Sequence, residues 1–307
     1  SQRCQGSRAT PAAVLDKNHQ PAQRANSTMH RVAASLVLFA AGAAALTKVA
    51  VLGPGDPWVS LNAAKTAHKQ GLTSSIACNK PAEARKMLWG PDVSSEDEAK
   101  IKVVEGAEGI GEILEDAEGL IISGAGFAGL TANYCETVLR NAPECKSVAI
   151  CVEAGKNGDA IEAARKACAE RSIPCSVLRV HELRGGGPGT EKGEELEDLG
   201  LSRQFYDTQF DFPKFQADSY ADKFLLGVSA VAGDKPVNFF QKMKAANGIQ
   251  RDDGITNRAV VGRALVAALT CEPVDLTLNV EEGLRPVLVE DWAAWFANPT
   301  KISGELN

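Results

Sequence analysis

Short apolar runs alternate with helical patterns through the middle of the chain, between residues 48 and 182. Such runs are typical of strands in a parallel sheet that is covered on both faces. The pattern predicts strands at 49–52, 72–78, 101–104, 119–126 (with the following loop), 146–152 and 174–180, and helices at 58–70, 110–116, 128–140 and 159–171. This alternation predicts an α/β fold with a doubly wound parallel sheet.

The alternation is interrupted at 81–100, which is polar and predicted to be irregular, and it ends after residue 182. Glycine-rich and acidic residues fill 184–197, either as a lid over a pocket or as a surface insertion. Residues 200–250 hold most of the phenylalanines and predict a small lobe on the substrate side. An amphipathic helix over 255–269 and a strand over 274–280 are then predicted to follow.

The two ends of the chain have a different character. Residues 1–31 are basic and contain one acidic residue, as in an organelle transit segment or a disordered tail. Residues 32–46 are apolar but short for a membrane span, which needs about 20 residues. Three interpretations stay open for 32–46: a docking or interfacial helix, a membrane anchor, or a targeting segment. The tail 291–307 holds an aromatic strip around Trp292 that either docks a partner or packs on the chain's own domain.

Composition narrows the classes of partner. The net charge of −6, with no basic patch, argues against nucleic acid. The eight cysteines form no CxxC pair and no zinc-type spacing with histidine, so no metal is predicted. Buried free thiols in a reducing compartment are the expected state of the cysteines.

The candidate chemistry begins directly after the first predicted strand, at 53–58. Gly53 and Gly55 are suited to a tight turn with positive φ and close approach of a ligand, and Asp56 is suited to cap the next helix. Such a helix start can hold a diphosphate. A dinucleotide motif has the form G-x-G-x-x-G, and here Trp58 stands at the third glycine. The indole is expected to crowd the helix or to fill part of the diphosphate space.

Two further places would complete a cofactor site. Asn79 and Lys80 follow the second strand, where an acid would favour NAD and a basic residue favours NADP. Gly124 and Ala125 lie in the loop after the fourth strand, at the sheet edge where ligands bind. NADPH is therefore the favoured cofactor if one binds, although the imperfect motif predicts that binding has been weakened or lost.

Four segments together resemble a known family: 49–55, 114–122, 173–180 and 255–266. They are similar to the atypical short-chain dehydrogenases of the NmrA-like, NAD(P)-binding type. The resemblance implies a Rossmann fold with a small C-terminal lobe. The predicted regions are an N-terminal extension (1–47), a Rossmann core (48–182), an insertion and lobe with a returning helix and strand (183–290), and a C-terminal tail (291–307).

The catalytic pair that this resemblance implies is absent. Reductases of the superfamily use a Tyr with a Lys four residues later, and none of the three tyrosines has that partner. Tyr220 has Lys223 at three residues instead, and these two are weak candidates. His181, after the sixth strand, is a third candidate for acid–base chemistry, but a lone histidine is more often structural.

Three functions follow as hypotheses. Eroded members of the resembled family serve as photosystem assembly factors in plastids or as a respiratory complex I subunit in mitochondria. The first hypothesis is therefore an accessory subunit bound to protein subunits of an organelle membrane complex, on the stromal side of a plastid thylakoid membrane, with membrane contact through 32–46. A mitochondrial or cytoplasmic location is the alternative. The second hypothesis is an NADPH-dependent reductase or isomerase, and the third is a soluble NADPH sensor.

Overall fold

The computed structural model describes residues 46–90, 92–126, 128–186, 227–237, 240, 243, 255–281, 289 and 291–299. The strands are β1 (Lys48–Leu52), β2 (Thr73–Ala77), β3 (Ile101–Val104), β4 (Gly119–Ser123), β5 (Ser147–Glu153), β6 (Cys175–Val180), β7 (Glu182–Arg184), β8 (Gly227–Ala232), β9 (Ile255–Asn257) and β10 (Asp275–Glu281). The helices are α1 (Pro57–Lys69), α2 (Pro81–Trp89), α3 (Ser95–Lys100), α4 (Gly106–Glu115), α5 (Ala132–Arg140), α6 (Gly158–Glu170), α7 (Arg258–Ala268) and α8 (Trp292–Ala297).

Eight strands form one sheet in the order β3-β2-β1-β4-β5-β6-β10-β8. All neighbours are parallel except β8, which runs antiparallel to β10 at the edge. Two apolar clusters cover the two faces of this sheet. The first six strands have the order of a Rossmann fold, so the predicted doubly wound α/β fold is confirmed. Strands β7 and β9 pair separately as a small parallel sheet.

Residues 81–100 correct the sequence interpretation, which treated them as irregular. Pro81 occupies the first turn of α2, and this helix buries Ala84, Met87 and Leu88 against the core. Ser94 caps α3 through a reciprocal capping box with Asp97. The polar appearance of the segment therefore reflects exposed faces of two short helices rather than a loop.

Helix α7 differs from its prediction in two respects. Its first three predicted residues form strand β9, and the helix itself begins at Arg258. It is buried on nearly every side rather than amphipathic, because it is enclosed between the sheet and α1. A Cβ at Gly262 would lie 2.8 Å from the backbone nitrogen of Ala63, so α7 and α1 are in close backbone contact.

The aromatic tail packs on the chain's own domain. Helix α8 buries Trp295 and Phe296 in the core cluster, and Trp292 packs against that cluster. The ring centroids of Trp292 and Trp295 are 5.3 Å apart in an edge-to-face arrangement. Of the two interpretations of this strip, the structure supports internal packing.

Several sequence predictions fall outside the described residues. These are the extension through residue 45 and, within the predicted insertion and lobe (183–290), most of residues 183–254. The candidates Tyr220 and Lys223 lie in that part. Within the part of the chain that is described, no helix has the length and apolar character needed to cross a membrane.

The cysteines within the described ranges are free thiols, but the expected burial holds for only some of them. Those that are buried are Cys135, Cys145, Cys151 and Cys168, and those that are partly buried are Cys78, Cys175 and Cys271. Cys168 in α6 and Cys175 at the start of β6 are hydrogen-bonded through their side chains. That bond, with the nearby Arg165 cation, lowers the pKa of Cys175. Burial raises the pKa of Cys145 to about 11 and also raises that of Cys151, which is fully buried.

We expect iodoacetamide at pH 8 to label Cys175 faster than Cys145 or Cys151, because Cys175 is only partly buried and has the larger thiolate fraction. Peptide mapping by mass spectrometry at short reaction times measures this order. The Cys175→Ser variant should lose the early label on the peptide that contains position 175. The Cys145→Ser variant should keep the early label on that peptide. Equal labelling of Cys145 and Cys175 would contradict the assignment.

Candidate functional site

The direction of strand order reverses between β1 and β4, and in open α/β sheets ligands bind at this switch point. Two loops meet there. One is the turn 53–56 after β1, and the other is 124–126 after β4. The predicted residues of these two loops therefore lie together at the carboxyl ends of β1 and β4.

The two loops are hydrogen-bonded directly to each other. The backbone N–H of Gly55 donates to the carbonyl of Ser123 at 3.0 Å, and that of Asp56 donates to Ala125 at 2.6 Å. A Cβ at Gly126 would lie 3.0 Å from the Cβ of Asp56. The crevice is thus closed at this point by the chain itself.

The N-terminus of α1 has no backbone donor left over for a phosphate. Pro57 has no N–H, and the N–H groups of Trp58 and Val59 both donate to Oδ1 of Asp56, at 2.9 and 3.3 Å. Together with the donors of Gly55 and Asp56, every N–H from 55 to 59 is bonded within the chain. Anion binding at a helix start depends on such N–H groups.

A buried ion pair completes the closure. Oδ2 of Asp56 accepts a hydrogen bond from Nε of Arg258 at 2.8 Å, and the two side chains are 2% and 0% exposed. Nη1 of Arg258 donates to the carbonyl of Gly185 at 2.7 Å. The guanidinium carbon also lies 5.4 Å from the ring centroid of Trp58. The Asp56 carboxylate therefore stands where a helix start would otherwise receive a ligand anion.

The glycines of the predicted cofactor site are needed for contacts within the chain. Gly53 has φ +137°, and a Cβ there would lie 2.0 Å from the carbonyl oxygen of Ser123. Gly55 does not have the positive φ that the sequence interpretation gave it. Its Cβ would meet the Ala125 carbonyl oxygen at 2.6 Å, and a Cβ at Gly124 would meet Cγ of Leu130 at 2.2 Å.

Trp58 has a different role from the one expected. The indole is buried at 4% exposure, packs in the core and forms part of a cavity wall, while α1 still packs on β1. Closure of the diphosphate corner comes from Asp56 and from the loop-to-loop hydrogen bonds. The sequence interpretation had assigned this obstruction to the indole.

A cavity of about 690 Å³ remains beside the closed corner. It extends from the β1 turn across the carboxyl end of β2 to the first turns of α2 and α4. Five of the predicted cofactor residues line it: Gly53, Gly55, Trp58, Asn79 and Lys80. Asp56, Gly124, Ala125 and His181 do not line it.

Lys80 and Arg85, two of the basic residues after β2, both face carboxylates. Nζ of Lys80 lies 3.0 Å from Glu83, which also lines the cavity. Nε of Arg85 lies 3.6 Å from Glu98. The positive charge of Lys80, which was expected to favour a ribose phosphate, is therefore balanced by a carboxylate at the edge of the cavity.

Sequence reasoning missed much of the cavity. Met87 lies on α2, Ala107 and Ile110 lie on α4, and Tyr134 lies on α5. Burial raises the pKa of Tyr134 to about 12, so its phenol is protonated at neutral pH. The apolar face of α2 was a signal in the sequence for this wall of the cavity. It was not recognised because 81–100 is polar in overall composition.

His181 is a buried residue at the end of β6. The residue is 8% exposed. Its backbone N–H donates to Oγ1 of Thr256 at 3.1 Å. Thr256 in turn donates from Oγ1 to the carbonyl of Leu278. This arrangement ties β6 to β9 and β10, and it keeps His181 out of the cavity lining.

Among the described residues, no group of three or more His, Cys, Asp or Glu side chains could hold a metal ion. The start of α1 also does not fit a dinucleotide diphosphate, because the N–H groups of residues 55–59 are bonded within the chain and the Asp56 carboxylate is present. The cavity can accept a ligand beside that corner through apolar contacts and a few polar groups.

Comparison with known proteins finds no matching family model and no matching curated protein. A short-chain dehydrogenase/reductase from Veillonella parvula in complex with NADP shares 10% identity at a TM-score of 0.41, covering 76% of this chain and 94% of that one. A Rossmann-fold NAD(P)-binding family protein from Shigella flexneri shares 10% at 0.42, covering 80% and 98%. A nucleoside-diphosphate-sugar epimerase from Pseudomonas aeruginosa shares 11% at 0.37, covering 76% and 71%.

The chain's own strand order is that of a Rossmann domain, and it carries the assignment of the fold. A fold of this kind hosts many functions, so the function has to be argued from the site.

Proposed function

We propose that this chain is a non-catalytic Rossmann-type protein that serves as an accessory or assembly subunit of an organelle membrane complex. The observation that carries the proposal is the closed diphosphate corner, in which Asp56 and Arg258 form a buried pair. A dehydrogenase needs its nucleotide held at that corner in order to position the reacting ring. Loss of that function leaves the fold available as a scaffold.

Two features of the sequence support the same proposal. No tyrosine is followed by a lysine four residues later, so the usual proton donor pair is absent. The basic segment 1–31 and the apolar segment 32–46 suit import into an organelle and contact with a membrane. A plastid thylakoid, on its stromal side, is the proposed location. The aromatic strip of α8 gives no support, because it is packed in the chain's own core.

Retained binding of NADPH is the competing function, either in a reductase or isomerase or in a sensor. It is favoured by the cavity, which contains Gly53, Asn79 and Lys80 in the places where a Rossmann fold holds a nucleotide. A reductase or sensor must bind NADPH, whereas the accessory subunit proposed here is expected to bind neither NADPH nor NADH.

We expect 1 mM NADPH or NADH to leave the melting temperature unchanged within about 1 °C. A site with a Kd of about 1 μM would instead stabilise the folded state by about 4 kcal/mol, which raises the melting temperature by several degrees. Differential scanning fluorimetry measures the shift, with a cofactor-binding dehydrogenase as the positive control. A rise of that size with NADPH would overturn the proposal in favour of the sensor or reductase.

The partner is tested separately by isolation of the native protein. We expect it to sediment with an organelle membrane fraction and to remain with a protein complex after a salt wash and mild detergent extraction. Recovery of the protein free of any complex in a soluble fraction would contradict the accessory role.

A further inference from the structure

We infer that the cavity beside the closed corner binds an uncharged ring compound of about nucleoside size, and that Asp56 makes the site select against phosphorylated ligands. This inference deepens the proposed function and rests on its closed diphosphate corner. It assigns a ligand class to a cavity that would otherwise be only the remnant of a cofactor site.

The size and walls of the cavity suit such a ligand. Its volume of about 690 Å³ falls within the range of small-molecule pockets, which is roughly 300–1,000 Å³. Leu61, Ile76, Met87 and Ile110 supply apolar wall, and Trp58 and Tyr134 supply aromatic wall. Flat ring systems gain the most from walls of this kind, because they bury large apolar faces in contact with aromatic rings.

The charges around the cavity cancel. Lys80 and Glu83 are the charged side chains among its described lining residues, and their charged atoms lie 3.0 Å apart. Tyr134 is protonated at neutral pH, since its pKa is raised to about 12 by burial. The lining therefore has no net charge with which to attract a phosphate.

The two helix starts at the far side of the cavity are also balanced. Neither α2 nor α4 has a side-chain cap, so N–H groups of their first turns can meet ring nitrogen or carbonyl acceptors. Each helix carries an acid in its first turn, Glu83 in α2 and Glu108 in α4. These acids offset the positive end of each helix and disfavour an anion there.

The third helix start, that of α1, has no free N–H group to offer a phosphate. Gly55, Pro57 and Trp58 line the cavity at this end, and the N–H groups there are already bonded within the chain. The Asp56 carboxylate lies directly behind them, held by Arg258. A phosphate attached to a ring in the cavity would lose its water ligands here without an N–H donor to replace them, because Asp56 already accepts the N–H groups of Trp58 and Val59.

Adenosine and ADP are the probes, because they present one ring system with and without phosphate. Isothermal titration of the full chain should give a measurable affinity for adenosine and a weaker one for ADP, by about fivefold or more. A normal diphosphate site shows the opposite order. The Ala107→Trp variant fills the mouth of the cavity from an exposed position and should abolish adenosine binding. Ala169→Trp, at an exposed position of α6 outside the cavity lining, should leave it unchanged.

The outcomes separate the two proposals. Tighter binding of ADP or NADPH than of adenosine would overturn both this inference and the proposed function. Absence of adenosine and ADP binding would overturn the inference alone, and the closed corner would stand. Adenosine binding that survives Ala107→Trp would place the ligand elsewhere and would also overturn the inference.

Discussion

Replacing Arg258 with methionine is expected to destabilise the fold by about 3–5 kcal/mol, because it leaves the Asp56 carboxylate buried without its cation. Both side chains are almost fully buried, and they join residues that are 202 positions apart. Urea denaturation followed by circular dichroism measures the change in the free energy of unfolding. That loss is a large part of the 5–15 kcal/mol that stabilises a typical domain.

A double variant separates the charge from the packing. Asn at position 56 keeps an oxygen to cap α1, so Asp56→Asn combined with Arg258→Met removes both charges and retains the cap. We expect the double variant to be more stable than Arg258→Met alone, as for other buried pairs replaced by uncharged residues. Lys102→Met, in an exposed pair with Glu112, is the control and should change stability by no more than about 1 kcal/mol. An equal cost for Arg258→Met and Lys102→Met would contradict the buried-pair account.

Replacing Gly53 with alanine is expected to cost more than about 3 kcal/mol, through backbone strain and steric overlap together. Gly53 has φ +137°, a conformation that side chains rarely adopt. The new Cβ would lie 2.0 Å from the Ser123 carbonyl oxygen, which belongs to the backbone of β4 and cannot rotate away. Thermal and chemical denaturation of the variant measure the loss.

Gly158→Ala is the matched control for Gly53→Ala. Gly158 begins α6, and a Cβ there would meet nothing within 4 Å. Alanine favours the helix, so this variant should be neutral or slightly more stable. If Gly53→Ala were as stable as Gly158→Ala, the close contact between the β1 turn and the β4 strand would be wrong.

The sheet could be predicted from the sequence because its signals are local. Most central strands are apolar runs, and the following helices repeat an apolar face, so the order of elements in 48–182 was placed correctly outside 81–100. Two helix starts were wrong: α4 begins at Gly106 rather than at 110, and α5 begins at Ala132 rather than at 128. Helices α2 and α3 were missed since their exposed faces carry most of the charges in that segment. The start of α7 was missed because β9 is set by pairing with β7, which is a tertiary contact.

The site was predictable in place but not in chemistry. The turn after β1 and the residues after β2 line one cavity, and their position at this edge of the sheet follows from the strand order. The decisive feature is the pairing of Asp56 with Arg258, and nothing local in the sequence joins residues so distant. Pro57 is one local signal for this chemistry, because its missing N–H weakens a phosphate site at the start of α1.

The chain's own carboxylate and loop contacts occupy the diphosphate corner, and a bound cofactor should not displace them. The most direct measurement is a crystal structure of the protein grown or soaked with millimolar NADPH. The account predicts that the N–H groups of Gly55 and Trp58 keep their bonds to Ser123 and Asp56, with no diphosphate at that corner. A diphosphate accepting hydrogen bonds from those two N–H groups, with Asp56 turned away from Arg258, would contradict it.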